Sequence, residues 1–258
     1  MAVATLPTML RTLGAGLRTV VLAPAFLGYT MYISAKVNRL ARRGPNHDAI
    51  NEIAENWSKR FIEIPPITIA VEGTEHIDPD RQYIVVSNHQ SNFDIPVALQ
   101  ALESLRTRFI SKIEVSKIPI FGKAAVNAGV VMLNREAARA NHEHLNQEVA
   151  KSLAAGHSIL LFAEGTRSRT GEMGKFRRGA VRLALAAGVD ILPVVIHGTR
   201  DVNPPGSLLI YPGEVTVRIL PPVSMEGMTS QDVRAITDDL REQIGEHHAE
   251  MSDKQHQS

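Results

Sequence analysis

Hydrophobic and polar positions follow two periodicities along this chain. Short apolar runs bounded by turn residues are typical of strands, and longer segments with an apolar residue every three or four positions are typical of helices. The predicted strands are 67–71, 83–87, 108–111, 130–133, 159–162, 191–196 and 215–220. The predicted helices are 50–62, 95–102, 136–155, 179–187 and a surface helix over 228–248. Gly156 and Gly188 are expected to end two of these helices.

This alternation of strands and helices predicts an α/β fold, with a mixed, largely parallel sheet flanked by helices. A length of 258 residues is sufficient for one domain with an appendage. We expect the appendage to be a helical segment over residues 1–43. The α/β domain is then expected to comprise residues 44–258.

The N-terminal segment carries apolar residues at helical spacing in two pieces, which Pro24 separates. Residues 1–47 contain six cationic and no acidic side chains, so this part has a charge of +6 and the remainder −5. The pattern predicts two amphipathic helices in a membrane interface, with the cations reaching headgroups. We expect a peripheral protein on the cytoplasmic face. The uncharged stretch 19–35 is at the lower limit for a spanning helix. A span or signal anchor, or helices packed on the protein's own core, therefore remain alternatives.

The composition excludes several kinds of chemistry. There is no cysteine, which removes disulfides, thiolate nucleophiles and cysteine-based zinc sites. No phosphate-binding loop or dinucleotide fingerprint is present, so we expect no cofactor. Residues 142–144 (HEH) do not have the spacing of a zinc-binding helix, because adjacent residues on a helix point in different directions, and we expect no metal. The chain has no recognisable nucleic-acid module, and no nucleic-acid partner is expected. The tail pair His247 and His248 is expected to be solvated.

Two polar clusters, residues 88–94 and 162–168, come where predicted strands end. The carboxyl ends of strands are where open α/β sheets build their sites. The first cluster places His89 five positions before Asp94. A carboxylate can orient a histidine as a general base, and an ordinary imidazole, with a pKa of about 6.5, accepts protons near neutral pH. Asp94 also suits a helix start, because Pro96 fits a first helical turn.

These clusters resemble the signatures of the glycerolipid acyltransferases, specifically the lysophosphatidic acid branch. Residues 88–94 (NHQSNFD) contain the family's His-x4-Asp, and residues 162–168 (FAEGTRS) are similar to its Phe-Pro-Glu-Gly-Thr-Arg-Ser. Residues 129–135 (GVVMLNR) and 190–196 (DILPVVI) are similar to two further signatures. Ala163 replaces the usual proline, and Asn134 stands where aspartate is common. The resemblance covers roughly residues 65–222, with all four signatures in order.

The resemblance implies a role for each matching residue. His89 is the expected general base and Asp94 its orienting partner, together the predicted catalytic pair. Glu164 is expected to position the glycerol backbone, while Gly165 lets the backbone approach the ligand. The expected substrate-binding residues are Glu164, Gly165, Thr166, Arg167, Arg135 and Lys112. Arg135 and Arg167 would bind the phosphate, because a guanidinium offers it paired donors. Lys112 is either a further phosphate ligand or a surface lysine.

The implied function is transfer of a fatty acyl group from acyl-coenzyme A, or from an acyl carrier protein, to the 2-hydroxyl of 1-acylglycerol 3-phosphate. The donor is a cosubstrate, and the expected partners are this lipid and a membrane surface. Ser91 is not favoured as a nucleophile, because no Gly-x-Ser-x-Gly motif is present. The alternatives are acylation of glycerol 3-phosphate or another lysophospholipid, and a non-catalytic membrane-binding protein on the same fold.

Overall fold

The computed structural model describes residues 6–44, 46–134, 142–168 and 170–257. Its helices are α1 Leu6–Ala41, α2 His47–Glu63, α3 Asp94–Ala101, α4 Phe121–Asn127, α5 His142–Ala154, α6 Gly179–Ala187, α7 Thr199–Val202 and α8 Val233–Gln257. Its strands are β1 Ile67–Glu72, β2 Ile84–Ser87, β3 Arg108–Lys112, β4 Val131–Leu133, β5 Ile159–Phe162, β6 Ile191–His197 and β7 Gly213–Ile219. Short 3₁₀ turns occupy Thr74–His76, Glu103–Leu105 and Ile113–Lys117.

The seven strands form one sheet in the order β1-β7-β6-β2-β5-β3-β4. Five neighbours, from β6 to β4, run parallel to one another. β7 pairs antiparallel with β6 and parallel with β1, so β7 and β1 run in the direction opposite to the other five strands. The predicted fold class, a mixed and largely parallel sheet flanked by helices, is confirmed. α4 was not predicted, because seven residues are too few for a helical period to be evident.

The centre of the sheet is apolar on both faces, as expected of parallel strands covered by helices. Successive β2 residues point to opposite sides. Ile84 and Val86 belong to the core cluster that includes residues of α5, α6 and α8. Val85 belongs to the cluster on the other face, which includes residues of α1, α2 and α3. β2 is fully buried and fixes the position of the polar loop that follows it.

The N-terminal segment contains one long helix, so the predicted break at Pro24 is wrong. A proline inside a helix removes one hydrogen bond and crowds the preceding turn. Packing just beyond Pro24 favours continuation: Phe26 is buried and stacks on Phe61 of α2, with ring centroids 4.4 Å apart. Further along, the indole N–H of Trp57 donates to Thr30 Oγ1 at 3.1 Å. One side of α1 is thus packed on the domain.

The other side of α1 is exposed and apolar. Leu17 and Val20 each expose more than 70% of their surface, and Val21, Leu27 and Tyr32 more than 60%. Residues 16–41 are long and apolar enough to cross a membrane, judged by length and composition. One face of α1 therefore packs on the protein's own core, which was one of the alternatives left by the sequence. The other face is an exposed apolar stripe, as expected of a helix in a membrane interface.

Candidate active site

The candidate site lies where β6, β2 and β5 end side by side. These strands are adjacent and parallel, so their carboxyl ends meet at one edge of the sheet. β2 leads into residues 88–94, β5 into residues 163–168, and β6 into residues 198–203. The two polar clusters singled out in the sequence are therefore neighbours, together with a third loop that the sequence analysis did not single out.

The histidine and aspartate of the first cluster are in direct contact. His89 Nδ1 donates to Asp94 Oδ2 at 2.7 Å. The His89 side chain is 17% exposed and that of Asp94 only 1%, so the imidazole alone faces solvent. Because Nδ1 is used by the carboxylate, Nε2 keeps the lone pair that a base requires. The ring also stacks on Phe162, with centroids 4.0 Å apart and planes 11° from parallel, which restricts its rotation.

The carboxylate of Asp94 is fixed by a complete set of donors. Besides His89, Oδ2 accepts the backbone N–H groups of Gln90 at 2.6 Å and Ser91 at 2.9 Å. Oδ1 accepts a hydrogen bond from the hydroxyl of Thr199. Asp94 is also the first residue of α3, as its spacing to Pro96 predicted. A buried carboxylate held this way keeps its direction toward the imidazole.

Glu164 ties two loops together. Its Oε1 accepts the backbone N–H of His89 at 2.8 Å, and its Oε2 accepts the N–H of Gly174 at 2.8 Å. The side chain is buried, and the backbone N–H of Ser168 donates to His89 O at 2.9 Å. Both carboxylate oxygens of Glu164 therefore hold protein backbone, a use that the expected role on the glycerol backbone did not anticipate.

Gly165 and Thr166 form the tip of the second loop. Gly165 adopts φ +70°, a conformation that favours glycine, and a Cβ there would lie 2.8 Å from Arg177 Nε. Glycine at this position thus gives room to an arginine of the protein as well as to any ligand. Arg177 Nε donates to Glu164 O at 3.3 Å, which stabilises the turn. Thr166 is exposed.

The predicted cationic ligands differ in placement. Arg167 is partly exposed and donates from Nη1 to Asn92 Oδ1 at 2.7 Å, so its guanidinium lies against the loop that carries His89. Lys112 is the last residue of β3 and is exposed at the same edge of the sheet, two strands from β2. Arg135 lies outside the described residues. The structure thus joins Arg167 to the histidine loop and leaves the other two as predictions.

Sequence reasoning missed the third loop and the residues that align it. The side-chain amide of Asn88 pairs with the backbone of Ile196 in both directions, at 2.8 and 2.9 Å, which extends the β2–β6 pairing. Thr199 contacts Asp94, and Asn203 O accepts the hydroxyl of Ser91 at 2.9 Å. Thr199 lies two residues after the end of an apolar strand, as His89 does. This position at a strand end was the sequence feature that could have identified Thr199 as a candidate site residue.

A histidine pair lies beside this third loop. His197, the last residue of β6, and His248 on α8 have ring nitrogens 3.5 Å apart and ring centroids 5.0 Å apart. His248 is half-buried, so its expected solvation is wrong. Burial and, to a smaller extent, the neighbouring His197 lower the pKa of His248 to about 4, while Asp94 opposes the shift. His248 is therefore neutral at physiological pH.

An apolar cavity of about 90 Å³ lies between α1, α2, α4 and β3. Its lining includes Ile33, Val37, Trp57, Phe109 and Ala125. Phe109 also belongs to the apolar cluster that contains Phe162, the residue stacked on His89. The cavity is suited to a hydrocarbon group. Over the described residues, no group of three or more histidine, aspartate or glutamate side chains could hold a metal ion.

Comparison with known proteins gives a consistent pattern. The sequence model of the family described as Acyltransferase matches residues 68–197, which span both polar clusters. The 1-acyl-sn-glycerol-3-phosphate acyltransferase alpha of Mus musculus is 35% identical over 176 residues, which are 68% of this chain and 61% of that protein. The 1-acyl-sn-glycerol-3-phosphate acyltransferase of Pseudomonas aeruginosa is 28% identical over 204 residues and is covered to 78%. The chain spans about three fifths of the length of the mouse and human relatives it matches.

A solved structure matches over nearly its whole length. It is the crystal structure of the 1-acyl-sn-glycerophosphate (LPA) acyltransferase PlsC from Thermotoga maritima, with a TM-score of 0.78 and 28% identity. The alignment covers 94% of this chain and 98% of that one. The similarity therefore extends beyond the matched motifs to most of the fold.

Proposed function

Because the chain belongs to the acyltransferase family, we propose that it transfers a fatty acyl group to the 2-hydroxyl of 1-acylglycerol 3-phosphate. The product is phosphatidic acid. The observation that carries the proposal is the His89–Asp94 contact at a strand end, inside the region that matches the family. The names of the relatives supply the acceptor, since they are called 1-acyl-sn-glycerol-3-phosphate acyltransferases.

In the proposed reaction His89 acts as general base. Nε2 removes the proton of the acceptor hydroxyl as its oxygen attacks the thioester carbonyl carbon. A carbon–oxygen bond forms, and the carbonyl π electrons move to oxygen in a tetrahedral intermediate. When the carbonyl re-forms, the carbon–sulfur bond breaks, and the imidazolium returns the proton to the leaving thiolate. Asp94 keeps Nδ1–H in place and stabilises the transient imidazolium.

The acyl donor in this proposal is acyl-coenzyme A or an acyl carrier protein, used as a cosubstrate, and no cofactor takes part. Arg167, with Arg135 and Lys112, binds the acceptor phosphate. Support for Arg167 comes from its position against the His89 loop. Glu164 contributes by holding the backbone of His89.

We assign part of the fatty acyl chain to the apolar cavity beside α1. Ala125→Leu would narrow this cavity and should shift the preference of the enzyme toward shorter acyl chains. The shift is measured as kcat/KM over a series of acyl-coenzyme A lengths. Ala155→Leu, at an exposed position just after α5, is the matched control. An unchanged chain-length profile in the cavity variant would remove this assignment.

Membrane association is proposed through α1, with the protein peripheral and on the cytoplasmic face. The exposed apolar stripe of α1 and the cations of residues 1–47 support it. Apolar insertion and attraction to anionic lipids act together at such a surface. The packed side of α1 keeps the domain close to the bilayer, which would bring the site near a lipid acceptor.

One assay tests the function as a whole. The purified full-length protein is given radiolabelled acyl-coenzyme A, or labelled acyl carrier protein, with 1-acylglycerol 3-phosphate, glycerol 3-phosphate or a lysophosphatidylcholine in mixed micelles. We expect phosphatidic acid as the main labelled product. Preferred labelling of one of the other acceptors would replace the proposed substrate, and no transfer to any acceptor with either donor would overturn the proposal.

A further inference from the structure

Thr199 lies under the catalytic pair, on a loop that none of the four sequence signatures includes. It is fully buried and begins α7, directly after β6. Its hydroxyl donates to Asp94 Oδ1, on the side of the carboxylate away from His89. We infer that Thr199 is a positioning residue for acyl transfer, which sets the direction of the Asp94 carboxylate and through it the imidazole of His89. This inference rests on the proposed function.

The two oxygens of Asp94 have different sets of donors. Oδ2 accepts His89 Nδ1 and the backbone N–H groups of Gln90 and Ser91. Those two amides belong to the loop itself and can move with the aspartate. The Thr199 hydroxyl comes from another strand end, so it ties the carboxylate to the sheet. Without it, a buried carboxylate oxygen would lose its donor from β6, and rotation of the carboxylate would become easier.

The backbone around Thr199 leaves it little freedom. Gly198 adopts φ +92°, and a Cβ there would lie 2.2 Å from the carbonyl oxygen of Glu214 on β7. The Thr199 carbonyl accepts the N–H of Asn203 at 3.0 Å, which closes α7. β7 thus lies directly against the residue before Thr199. A hydroxyl held by the backbone in this way is a fixed donor rather than an adaptable one.

The same short helix contacts the His89 loop a second time. Asn203 is buried at the end of α7, and its carbonyl accepts the hydroxyl of Ser91 at 2.9 Å. Its side-chain oxygen accepts the amide of Asn92 at 3.3 Å. The loop 198–203 therefore supports residues 88–94 at two points, and Thr199 is the point that reaches the carboxylate.

The test compares three variants of the full-length protein in the acyl-transfer assay. Thr199→Val keeps the shape of the side chain and removes the hydroxyl, whereas Thr199→Ser keeps the hydroxyl. Thr237→Val is the matched control, because Thr237 is also buried and its hydroxyl donates to Val233 O on α8 at 2.6 Å. A hydrogen bond to a charged group is typically strong enough that its loss changes a rate by roughly 10-fold or more.

We expect Thr199→Val to lower kcat roughly 10-fold. The KM values for the acyl donor and for the acceptor should each stay within about 2-fold of wild type, because neither substrate contacts Thr199 in the proposed reaction. Thr199→Ser should recover most of kcat, and Thr237→Val should keep it. Equal kcat in Thr199→Val and wild type would overturn the inference. So would failure of Thr199→Ser to recover activity in a protein that melts like wild type. A wild-type protein without acyl transfer would instead overturn the proposed function.

Discussion

The loop that holds His89 and the helix α1 are fixed by different interactions. The loop is held by hydrogen bonds from three strand ends, and both oxygens of the buried Asp94 carboxylate accept hydrogen bonds. α1 is held by apolar packing on one side, around Phe26 and Phe61, and exposes a second apolar stripe. The first region is built for one geometry. α1 is attached to the domain on one side and exposes an apolar surface on the other, which is unfavourable in water.

The largest expected effect comes from removing the general base in the hydrogen-bonded loop that holds His89. His89→Ala should lower kcat by roughly 10²–10⁴, the usual contribution of a general base. Asp94→Asn should also be severely impaired, because an amide places N–H groups where the loop amides and His89 already donate. Activity is measured by labelled acyl transfer, with His144→Ala as control, since His144 is exposed on α5.

Circular dichroism and melting curves show whether the variants keep the fold. A correctly folded His89→Ala protein with wild-type kcat would contradict the role of the imidazole. It would also mean that the hydrogen-bonded loop is ordered for structural reasons alone.

The strands of the sheet and the contact between His89 and Asp94 were within reach of the sequence. Short apolar runs are local, and the histidine and aspartate lie five positions apart on one loop. Thr199 was not, because its contact with Asp94 depends on β6 lying beside β2. Strand order results from packing and chain crossovers, which a periodicity does not encode.

The same limit explains two other outcomes. The expected role of Glu164 on the ligand stays a prediction, but its hydrogen bonds to two backbone N–H groups from separate loops were not predicted. Pro24 was expected to end a helix, but Phe26 stacks on Phe61 from a distant part of the chain. At Pro24 a tertiary contact outweighed a local rule, and in neither case does sequence spacing contain information about the contact.

A smaller effect is expected where the polar site opens to solvent. Arg167→Ala should raise KM for the phosphate-bearing acceptor roughly 10-fold or more, because a charge-assisted contact is worth about 1.5–3 kcal/mol. KM for the acyl donor should change much less. Arg167→Lys should restore only part of the affinity, since an ammonium lacks the paired donors of a guanidinium.

Two further variants separate phosphate binding from loop support. Asn92→Ala removes the partner of Arg167 and leaves the guanidinium, so it should retain more acceptor affinity than Arg167→Ala. Arg182→Ala removes an exposed arginine of α6 and should leave both KM values unchanged. If Asn92→Ala and Arg167→Ala have the same kinetic effect, Arg167 supports the loop and does not bind the phosphate.

The proposed membrane attachment through α1 is tested by substitutions in its exposed apolar stripe. Replacing Leu17, Val20 and Leu27 together by serine should lower the partition coefficient onto anionic liposomes by roughly 10-fold or more, because each large side chain gains up to about 1.5–3 kcal/mol when fully buried. The measurement is flotation of the full-length protein. The control is Leu208→Ser, at a residue 83% exposed outside α1.

Deletion of residues 1–43 removes α1 and is a second test of whether this helix attaches the protein to the membrane. High salt should release the wild-type protein at least in part if α1 lies in the interface, whereas a spanning helix should resist extraction. Equal flotation of the wild type, the serine variant and the truncated protein would mean that another surface carries the attachment.

The smallest expected effect concerns stability, and it arises where α8 covers the buried network. The pKa of His248 is lowered from an ordinary value of 6.5 to about 4 by burial and by His197. The unfolded chain therefore binds a proton at His248 as the pH falls below about 6.5, while the folded protein does so only near 4. Stability from this group is complete above pH 6.5 and is lost as the pH falls toward 4. Because His248 is only half-buried, we expect a loss on the order of 1 kcal/mol between pH 7 and pH 5.

His248→Leu should reduce this loss, since leucine has no proton to bind and suits a half-buried site. The measurement is the free energy of unfolding in urea at pH 7 and pH 5, with His144→Leu as the control for an exposed histidine on another helix. The wild type and the control should lose more stability than His248→Leu over this interval. An equal loss in all three proteins would show that other groups govern the acid sensitivity. The histidine pair would then be a packing contact that does not control the pH dependence of stability.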